Sequence, residues 1–333
     1  SQPGLIFRHQ GKIRANPRAP ADLKQLPPPR RRFFDNARYQ REGAMVGVET
    51  KRGCPMGCSY CADPVVRGRR LRLRPPLAVA REMADLVAQG VTWFHLCDSE
   101  FNLSYNHARE VCQTIVSQGL GEQVHWYAYC APTPMDRDLL GLMARAGCAG
   151  VNFGVDSLCD AQLARLGRRH RLDDVVQLTA WLREMGLEFI YDLLLGGPGE
   201  TPETVRETVT RARGLELPLA GISLGVRVYP GTPLARGLIY GGERLQPHRP
   251  RSLHLPTFYV SPALGDDPVE LVRSLVSGDP RFLFLAKPQE SGSYNYAGDA
   301  ALADAIRKGA RGAYWHILAG QRKGETILKS SEA

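Results

Sequence analysis

The chain has 333 residues, of which 43% are hydrophobic and 23% are charged. This balance is typical of a soluble globular protein, and a chain of this length can bury a large core. The apolar runs all stay short of the roughly 18 residues that a membrane span needs, and the N-terminus lacks the apolar segment of a signal peptide. We therefore expect a cytoplasmic protein with no membrane partner.

The net charge of +9 has two local sources, the runs RRR at 30–32 and RGRRLRLR at 67–74. Arginine runs of this kind occur in proteins that bind nucleic acids. No zinc finger, RNP-type strand or basic helix accompanies them here. We therefore interpret them as a solvated surface or the rim of an anion site, and we expect no nucleic-acid partner.

Residues 1–44 are a Pro- and Arg-rich segment that includes LPPPRRR at 26–32. Proline lacks an amide donor and fixes φ, so this segment is predicted to be an extended arm or linker. Its apolar periodicity is too weak for a domain of its own.

From residue 45 to residue 235 the sequence alternates between strand and helix patterns. The strand segments, some with their following turn, are 45–49, 91–100, 124–132, 151–157, 187–200 and 220–235. The helical segments are 76–90, 107–119, 135–147, 160–167, 172–186 and 201–215, the last opening with a Thr cap and Pro202. Such alternation predicts βαβ units and a parallel sheet, either doubly wound or an incomplete barrel.

The incomplete barrel is favoured because no G-x-G-x-x-G follows the first strand and because polar or acidic residues follow most of the strands. In parallel barrels that carboxyl end carries the chemistry. We predict a partial (β/α)6 barrel of the TIM type over residues 45–235. Residues 236–333 form an α-rich C-terminal extension, with helices at 268–278 and 299–319 and a strand at 282–286, and we expect it to close the mouth of the barrel.

Three cysteines, Cys54, Cys58 and Cys61, lie within KRGCPMGCSYCADP in the spacing C-x3-C-x2-C. Structural zinc commonly takes two C-x2-C knuckles, and no second knuckle is present. A redox dithiol would use Cys58 and Cys61 and leave Cys54 without a role. Three thiolates on one loop also fit three irons of a cubane iron–sulfur cluster, which leaves the fourth iron open. Buried, reduced side chains are expected for the other five cysteines, Cys97, Cys112, Cys130, Cys148 and Cys159.

The triplet, with Tyr60 before its last cysteine and its place after the first strand, resembles the radical S-adenosylmethionine (SAM) superfamily. The resemblance covers residues 45–235. It implies a 4Fe-4S cluster on Cys54, Cys58 and Cys61, with the amino and carboxylate groups of SAM on the open iron. It also implies that an electron, delivered by a reductant such as flavodoxin or ferredoxin, cleaves SAM to a 5′-deoxyadenosyl radical and methionine. Tyr60 is then expected to pack against adenine.

The end of the second strand resembles the family's Gly-Gly-Glu motif, which contacts the amino group of SAM. This sequence has Asp98-Ser99-Glu100, so it departs at both glycines and keeps the acid. The resemblance implies that Glu100 accepts a hydrogen bond from that ammonium. The alternative is that Glu100 caps the helix that follows.

Two later strand ends also resemble family motifs. Gly154-Val155-Asp156-Ser157 is similar to Gly-x-Glu-Ser, which implies that Asp156 or Ser157 reaches the ribose or amino group of SAM. The stretch DLLLGGPGET at 192–201 is similar to the strand-five signature, in which glycines such as Gly196 and Gly197 let the backbone approach adenosine. A plain turn capped by Thr201 is the alternative. On the sixth strand, Arg227 is expected to meet a carboxylate of a ligand or to form a structural ion pair.

A narrower resemblance is to members that carry a cobalamin-binding domain before the radical SAM core. It rests on the segment 4–30, on GVRVYPGTPLA at 225–235 and on the closing YNYAG and AIRKGARGAYW. No Asp-x-His-x-x-Gly motif is present. The resemblance implies radical chemistry on a small or medium-sized substrate, with C-methylation or a rearrangement assisted by cobalamin. The alternatives are a cobalamin-independent oxidoreductase or carbon-skeleton enzyme, and a structural-metal module that binds nucleic acid.

Overall fold

Seven parallel strands form the central sheet of the computed structural model, which describes residues 2–240, 257–284 and 300–323. The strands in chain order are β1 (Val46–Val48), β2 (Trp93–Leu96), β3 (His125–Cys130), β4 (Cys148–Asp156), β5 (Phe189–Leu195), β6 (Ala220–Leu224) and β7 (Phe282–Phe284). Each strand pairs with the next in sequence, and the order never reverses. A doubly wound sheet requires such a reversal, so the predicted partial barrel is confirmed. Among the described residues β1 does not pair with β7, and the barrel is open.

Nine of the twelve α-helices in the described part of the chain are numbered with these strands. They are α1 (Pro76–Val87), α2 (Tyr105–Ser117), α3 (Arg137–Arg145), α4 (Asp160–Leu166), α5 (Leu172–Met185), α6 (Pro202–Gly214), α7 (Pro268–Val276), α8 (Ala300–Arg307) and α9 (Tyr314–Lys323). The predicted cap of α6 is present, since Thr201 Oγ1 accepts a hydrogen bond from the Thr204 N–H. Helices α1 to α6 follow the predicted segments within a few residues.

Alternation along the strands separates an outer face from an inner face. On β3, the outer Trp126 packs in the main core with residues of the surrounding helices, such as Leu140 of α3. The inner Tyr127 belongs to a separate cluster with Trp93, Ile190 and Trp315 of α9. The inner face therefore has a separate cluster of side chains, which includes Trp315 of the C-terminal extension.

Short elements lie outside the central sheet. A hairpin (Ile6–His9 with Lys12–Ala15), a 3-10 turn (Arg31–Phe33) and a helix (Asn36–Arg41) shape the N-terminal arm, which is therefore more ordered than an extended linker. The other short elements are two strand pairs (Lys51–Arg52 with Arg72–Leu73, and Val226–Arg227 with Phe258–Tyr259), two helices (Asp63–Val66 and Pro233–Tyr240) and two 3-10 turns (Phe101–Leu103 and Pro262–Leu264).

The C-terminal extension differs from its prediction in two ways. The strand Phe282–Phe284 is not isolated, because it adds a parallel seventh strand beside β6. The single helix predicted over 299–319 is two helices, α8 and α9, separated by Gly309 and Gly312, both with positive φ. A Cβ at Gly312 would lie 2.5 Å from the Tyr127 hydroxyl oxygen, so glycine allows α9 to approach the sheet.

The described contacts of α9 lie at the amino-terminal half of the strands, since Trp93 and Ile190 are the first and second residues of β2 and β5. Closure of the opposite end, the barrel mouth, by the extension stays a prediction. The segment YNYAG at 294–298 lies outside the described residues. Within the described ranges, every helix is too short or too polar to cross a bilayer.

The arginine runs are used within the fold. Arg31 and Arg74 both form ion pairs with Glu82 of α1, at 2.5 and 2.7 Å, and only 3% of the Glu82 side chain is exposed. Arg69 donates to the Met56 carbonyl in the cysteine loop. These contacts fasten the arm and the loop to the barrel, while Arg30, Arg32 and Arg70 are exposed, as predicted for a solvated surface.

Candidate active site

The cysteine loop lies at the carboxyl end of β1, after the short strand Lys51–Arg52. Cys54 and Cys58 are buried and Cys61 is partly exposed; all three are free thiols. The loop is anchored from two sides, because the Ser59 N–H donates to the Leu166 carbonyl at 2.8 Å and the Ser59 carbonyl accepts from the Leu234 N–H at 2.8 Å. The three predicted ligands are thus on one fixed loop.

Burial raises the pKa of each thiol in the triplet, and it raises the pKa of Cys61 to about 12. For Cys58 the Arg168 guanidinium opposes this shift. Coordination by iron requires thiolates, so metal binding at this loop releases protons. The neighbouring positive charge of Arg168 favours the anionic form of Cys58.

A buried ion pair joins the loop to the end of β2. Lys51 Nζ lies 2.9 Å from Asp98 Oδ2, and the two side chains are 2% and 0% exposed. Asp98 also accepts from the Thr50 and Lys51 N–H groups and from the Thr50 hydroxyl. Lys51 Nζ donates a second hydrogen bond to the Glu100 carbonyl at 2.6 Å. The departure from glycine at position 98 therefore has a structural reason.

Arg168, in the connection between α4 and α5, places a guanidinium among the predicted site residues. Its side chain is 4% exposed. One nitrogen donates to Cys58 Sγ at 3.3 Å, another donates to the Gly154 carbonyl, and Nε lies 3.3 Å from Asp156 Oδ2. The Glu100 carboxylate lies 3.8 Å away. Burial lowers the pKa of Arg168, but Asp156 and its other neighbours raise it further, so the group stays charged.

Asp156 has a backbone conformation that few non-glycine residues adopt. Its φ is +65°, and the pairing of β4 with β5 is irregular between Gly154 and Asp156. Aspartate is among the residues that tolerate this region, and such strain and irregularity concentrate at functional sites. The Tyr60 hydroxyl donates to Asp156 Oδ2 at 2.5 Å. The structure thus brings Tyr60 and Asp156 together.

Glu100 also belongs to this group. It precedes the 3-10 turn Phe101–Leu103, but its side chain makes no capping hydrogen bond, which counts against the capping alternative. Its Oε2 is buried and has no hydrogen-bond partner among the described residues. Burial raises the pKa of Glu100 to about 7, and Arg168 opposes the shift.

The glycine turn after β5 is closed by its own acid. Glu200 Oε2 accepts from the N–H groups of Gly196 and Gly197 at 2.5 and 3.0 Å. A Cβ at Gly197 would lie 2.6 Å from Gln162 Nε2, so the close approach seen here is to α4. Both amide atoms of Gln162 and Oε1 of Glu200 are buried without a hydrogen-bond partner in the described residues.

Two predicted site residues lie apart from this group. The Ser157 hydroxyl bonds Thr208 Oγ1 of α6 at 2.9 Å and accepts from the Cys159 N–H, so it faces the outer helices. Arg227 is exposed, and its guanidinium lies 4.8 Å from the centroid of the Tyr229 ring. The expected structural ion pair of Arg227 is not found among the described residues. Cys97 differs from its prediction as well, since it is exposed at the end of β2.

Lys51, Arg168 and Gln162 were not predicted as site residues from the sequence. A usable signal was present for Lys51, because an acid directly after an apolar strand, as at Asp98, requires a buried partner. For Arg168 the signal was weaker. It follows Gly167, whose φ of +73° ends α4 and turns the chain toward the cysteine loop.

The residues of this site fit an iron–sulfur cluster, because three free thiols lie on one loop. Within the described residues, no three His, Cys, Asp or Glu side chains are grouped closely enough to hold one metal ion. The three thiols nevertheless share one small cluster with Met56. Buried polar atoms without a partner surround it, namely Ser59 Oγ, Ser99 Oγ, Glu100 Oε2 and Arg168 Nε as a hydrogen-bond donor. Such atoms indicate a polar ligand beside the cluster.

Comparison with known proteins gives matches over the same residues. The model of the radical SAM superfamily matches residues 48–212. The tryptophan 2-C-methyltransferase of Streptomyces laurentii is 37% identical over 216 residues, and an uncharacterized methyltransferase of Pyrococcus horikoshii is 26% identical over 235 residues. These alignments cover 61% and 69% of this chain but only 36% and 50% of the two relatives. The chain thus spans a third to a half of their length.

Two solved structures of a radical SAM methyltransferase are also similar to this chain. The radical SAM methyltransferase TsrM from Kitasatospora setae, with tryptophan and a SAM analogue bound, matches with a TM-score of 0.83 and 29% identity. That match covers 96% of this chain and 71% of the TsrM chain. A second TsrM structure, with cobalamin and a [4Fe-4S] cluster, has a TM-score of 0.80.

Replacement of Asp98 tests whether the buried ion pair holds the loop. We expect Asp98→Asn to lower the free energy of unfolding by about 3–5 kcal/mol, because Lys51 would keep a buried charge without its partner. The matched control is Asp85→Asn on the exposed side of α1, with a change within about 0.5 kcal/mol. Urea denaturation gives both values. Equal stability of the two variants would mean that the pair contributes little.

Proposed function

The chain belongs to the radical SAM superfamily, and from this premise we propose that it is an enzyme that methylates a carbon atom of a small aromatic substrate. Tryptophan is the first candidate, because the similar proteins of Streptomyces laurentii and Kitasatospora setae are a tryptophan 2-C-methyltransferase and a structure with tryptophan bound. A cytoplasmic location, where thiols stay reduced, is part of this proposal.

The observation that carries the proposal is the charge balance beside the thiol loop. Glu100 and Asp156 face a single buried cation, Arg168. Two carboxylates therefore share one guanidinium. A ligand with positive charge complements this excess, and SAM carries an ammonium and a sulfonium. The three free thiols lie at the same end of the barrel.

In this proposal Cys54, Cys58 and Cys61 hold a 4Fe-4S cluster. Together the cluster, SAM and cobalamin supply electron transfer and methyl transfer when they are bound. The anchors at Ser59 keep the thiols in place, and Arg168 stabilises the thiolate of Cys58. The buried positions of Cys54, Cys58 and Arg168 limit the access of water to the reacting groups, which protects reactive species from side reactions.

We assign the polar groups of SAM to the acids at the strand ends. Glu100, with its unpartnered Oε2, accepts from the SAM ammonium, and Asp156, held by Tyr60 and Arg168, accepts from the ammonium or the ribose. The Tyr60 ring, Gly196 and Gly197 form the adenine side. Arg227 is exposed near the glycine turn and is assigned to a carboxylate of a ligand. Ser157 is left out because its hydroxyl is already bonded.

Cobalamin belongs to the proposal because one TsrM structure contains it. That match covers 69% of the TsrM chain, and we assign no cobalamin ligand to the residues of this chain. The reductant is proposed to be a flavodoxin or ferredoxin.

Replacement of one thiol tests the cluster. We expect Cys58→Ala to lose the brown colour, most of its bound iron and all SAM turnover after anaerobic reconstitution, while its far-UV circular dichroism is unchanged. The control is Cys97→Ala, which removes an exposed thiol outside the triplet and should keep the full iron content. Undiminished SAM turnover in Cys58→Ala would contradict the assignment, as would stoichiometric zinc in place of iron and sulfide.

The products distinguish methyl transfer from other radical SAM reactions. The reconstituted protein is incubated with SAM, cobalamin, a reductant and L-tryptophan, and the products are identified by mass spectrometry. We expect S-adenosylhomocysteine together with a product heavier by one methylene. Formation of 5′-deoxyadenosine without S-adenosylhomocysteine would reject methyl transfer and favour the cobalamin-independent alternative.

Glu100→Gln tests the contact with SAM. The amide keeps the shape but loses the charge, so we expect SAM to bind about 10–100-fold more weakly, as for the loss of one charged hydrogen bond. The melting temperature should change little, because Glu100 makes no capping bond. Calorimetric titration of SAM and thermal melts measure the two effects. A large loss of stability with unchanged SAM affinity would instead support a structural role.

A further inference from the structure

A clearing surrounds Asp192 on the inner face of the sheet. Asp192 lies in the middle of β5, and its register partners are Gly154 on β4 and Gly221 on β6. Neither neighbouring strand therefore places a side chain beside the carboxylate. A Cβ at Gly221 would lie 3.1 Å from Asp192 Oδ1 and would crowd it. The clearing therefore lies on the Gly221 side of Asp192, which is partly exposed, because the space over Gly154 borders Arg168 and Glu100.

A chain of two hydrogen bonds connects α9 to the Asp192 carboxylate. Trp315 Nε1 of α9 donates to Asn152 Oδ1 at 2.6 Å, and Asn152 Nδ2 donates to Asp192 Oδ2 at 3.5 Å. Trp315 and Asn152 are 1% and 5% exposed. Because the amide oxygen is committed to the indole, the amide nitrogen must face Asp192. The C-terminal helix thus orients the Asn152 amide so that its nitrogen faces this acid.

Among the described residues, no Lys, Arg or His side chain pairs with Asp192, and desolvation raises the pKa of its carboxyl group to about 7. A largely desolvated carboxylate without a cationic partner is costly, and an incoming ammonium ion removes that cost. A positively charged group of a ligand is therefore suited to pair with Asp192.

Aromatic side chains line the inner face beside this clearing. Tyr129 on β3 is 40% exposed, and the His95 ring on β2 meets it edge to face with centroids 5.6 Å apart. A second group, Trp93, Tyr127 and Trp315, lies nearer the amino-terminal ends of the strands. Flat apolar ligands pack well on such rings. The clearing therefore combines one carboxylate with two groups of aromatic side chains.

We propose that Asp192 binds the protonated amine of the substrate, with Asn152 and Trp315 as its positioning residues, so that the substrate is an aromatic amine or amino acid. This inference rests on the proposed function for the reaction itself, but it concerns a separate group of residues. It assigns a role to the C-terminal extension, which places Trp315 in the floor of the substrate site.

The test measures calorimetric binding of three probes to the reconstituted protein. L-tryptophan and tryptamine carry the ammonium group, and indole-3-propionate lacks it. We expect Asp192→Asn to weaken both amines about 10–100-fold and to leave the affinity for indole-3-propionate unchanged or improved. Gly221→Ala should weaken the amines as well, because it crowds the carboxylate without removing its charge. Ser117→Ala, at an exposed position on the outer helix α2, is the control and should bind all three probes normally.

Trp315→Phe tests the positioning residue. It keeps an aromatic ring but removes the hydrogen bond to Asn152, so the amines should bind several-fold more weakly while indole-3-propionate does not. A general structural loss would weaken all three probes together, and circular dichroism and melting temperature monitor the fold.

The inference is overturned if Asp192→Asn binds both amines as tightly as the original chain, if it weakens the carboxylate probe equally, or if neither amine binds. Turnover of SAM is measured in parallel. Turnover without amine binding would reject this inference and leave the proposed function intact. Amine binding that depends on Asp192, without SAM turnover, would do the reverse.

Discussion

The ion pair between Lys51 and Asp98 is the constraint on which the arrangement of the site depends. Both side chains lie out of contact with water, and burial of two charges is favourable only when their remaining hydrogen-bonding groups are satisfied. Here Asp98 accepts four hydrogen bonds from Thr50 and Lys51, and Lys51 also reaches the Glu100 carbonyl. This network fixes the end of β2 against the start of the cysteine loop, so Glu100 and the thiols keep a constant relation.

Close backbone packing completes the support of the loop. Gly167 ends α4 with a positive φ, and a Cβ there would lie 2.7 Å from the Gly57 carbonyl oxygen in the cysteine loop. Arg168 follows immediately and is therefore delivered to Cys58, Asp156 and Glu100. The cysteine loop contacts the end of β2 through the Lys51–Asp98 ion pair and contacts the end of α4 through backbone atoms. Two different parts of the barrel thus determine where the thiols lie, which suits a metal site that must be held on a rigid framework.

The sequence predicted what depends on local pattern. Alternation of apolar residues located the first six strands and their helices, and spacing located the thiols. The partners of those thiols could not be read locally, because Arg168 is 110 residues from Cys58 and Lys51 is 47 residues from Asp98. Ser157 has the same parity as Phe153 and Val155, which pack in the main core, so counting along β4 already directs its side chain toward the outer helices. Its candidacy rested on the resemblance to a family motif. The seventh strand was missed as part of the sheet because pairing with β6 is a tertiary event.

The position of Gly154 on the inner face relates the proposed substrate site to the proposed SAM site. Gly154 is the register partner of Asp192, and a Cβ on it would lie 3.2 Å from the Arg168 guanidinium and 3.4 Å from Glu100. The same glycine therefore borders the proposed substrate acid and the proposed SAM acids, and no side chain separates them on β4. A reaction between two bound molecules gains a large part of its rate from being held at short distance in one orientation. Because α9 orients Asn152 beside Asp192 and the Lys51 network holds the backbone at Glu100, the framework of the barrel determines how far apart the two binding groups lie.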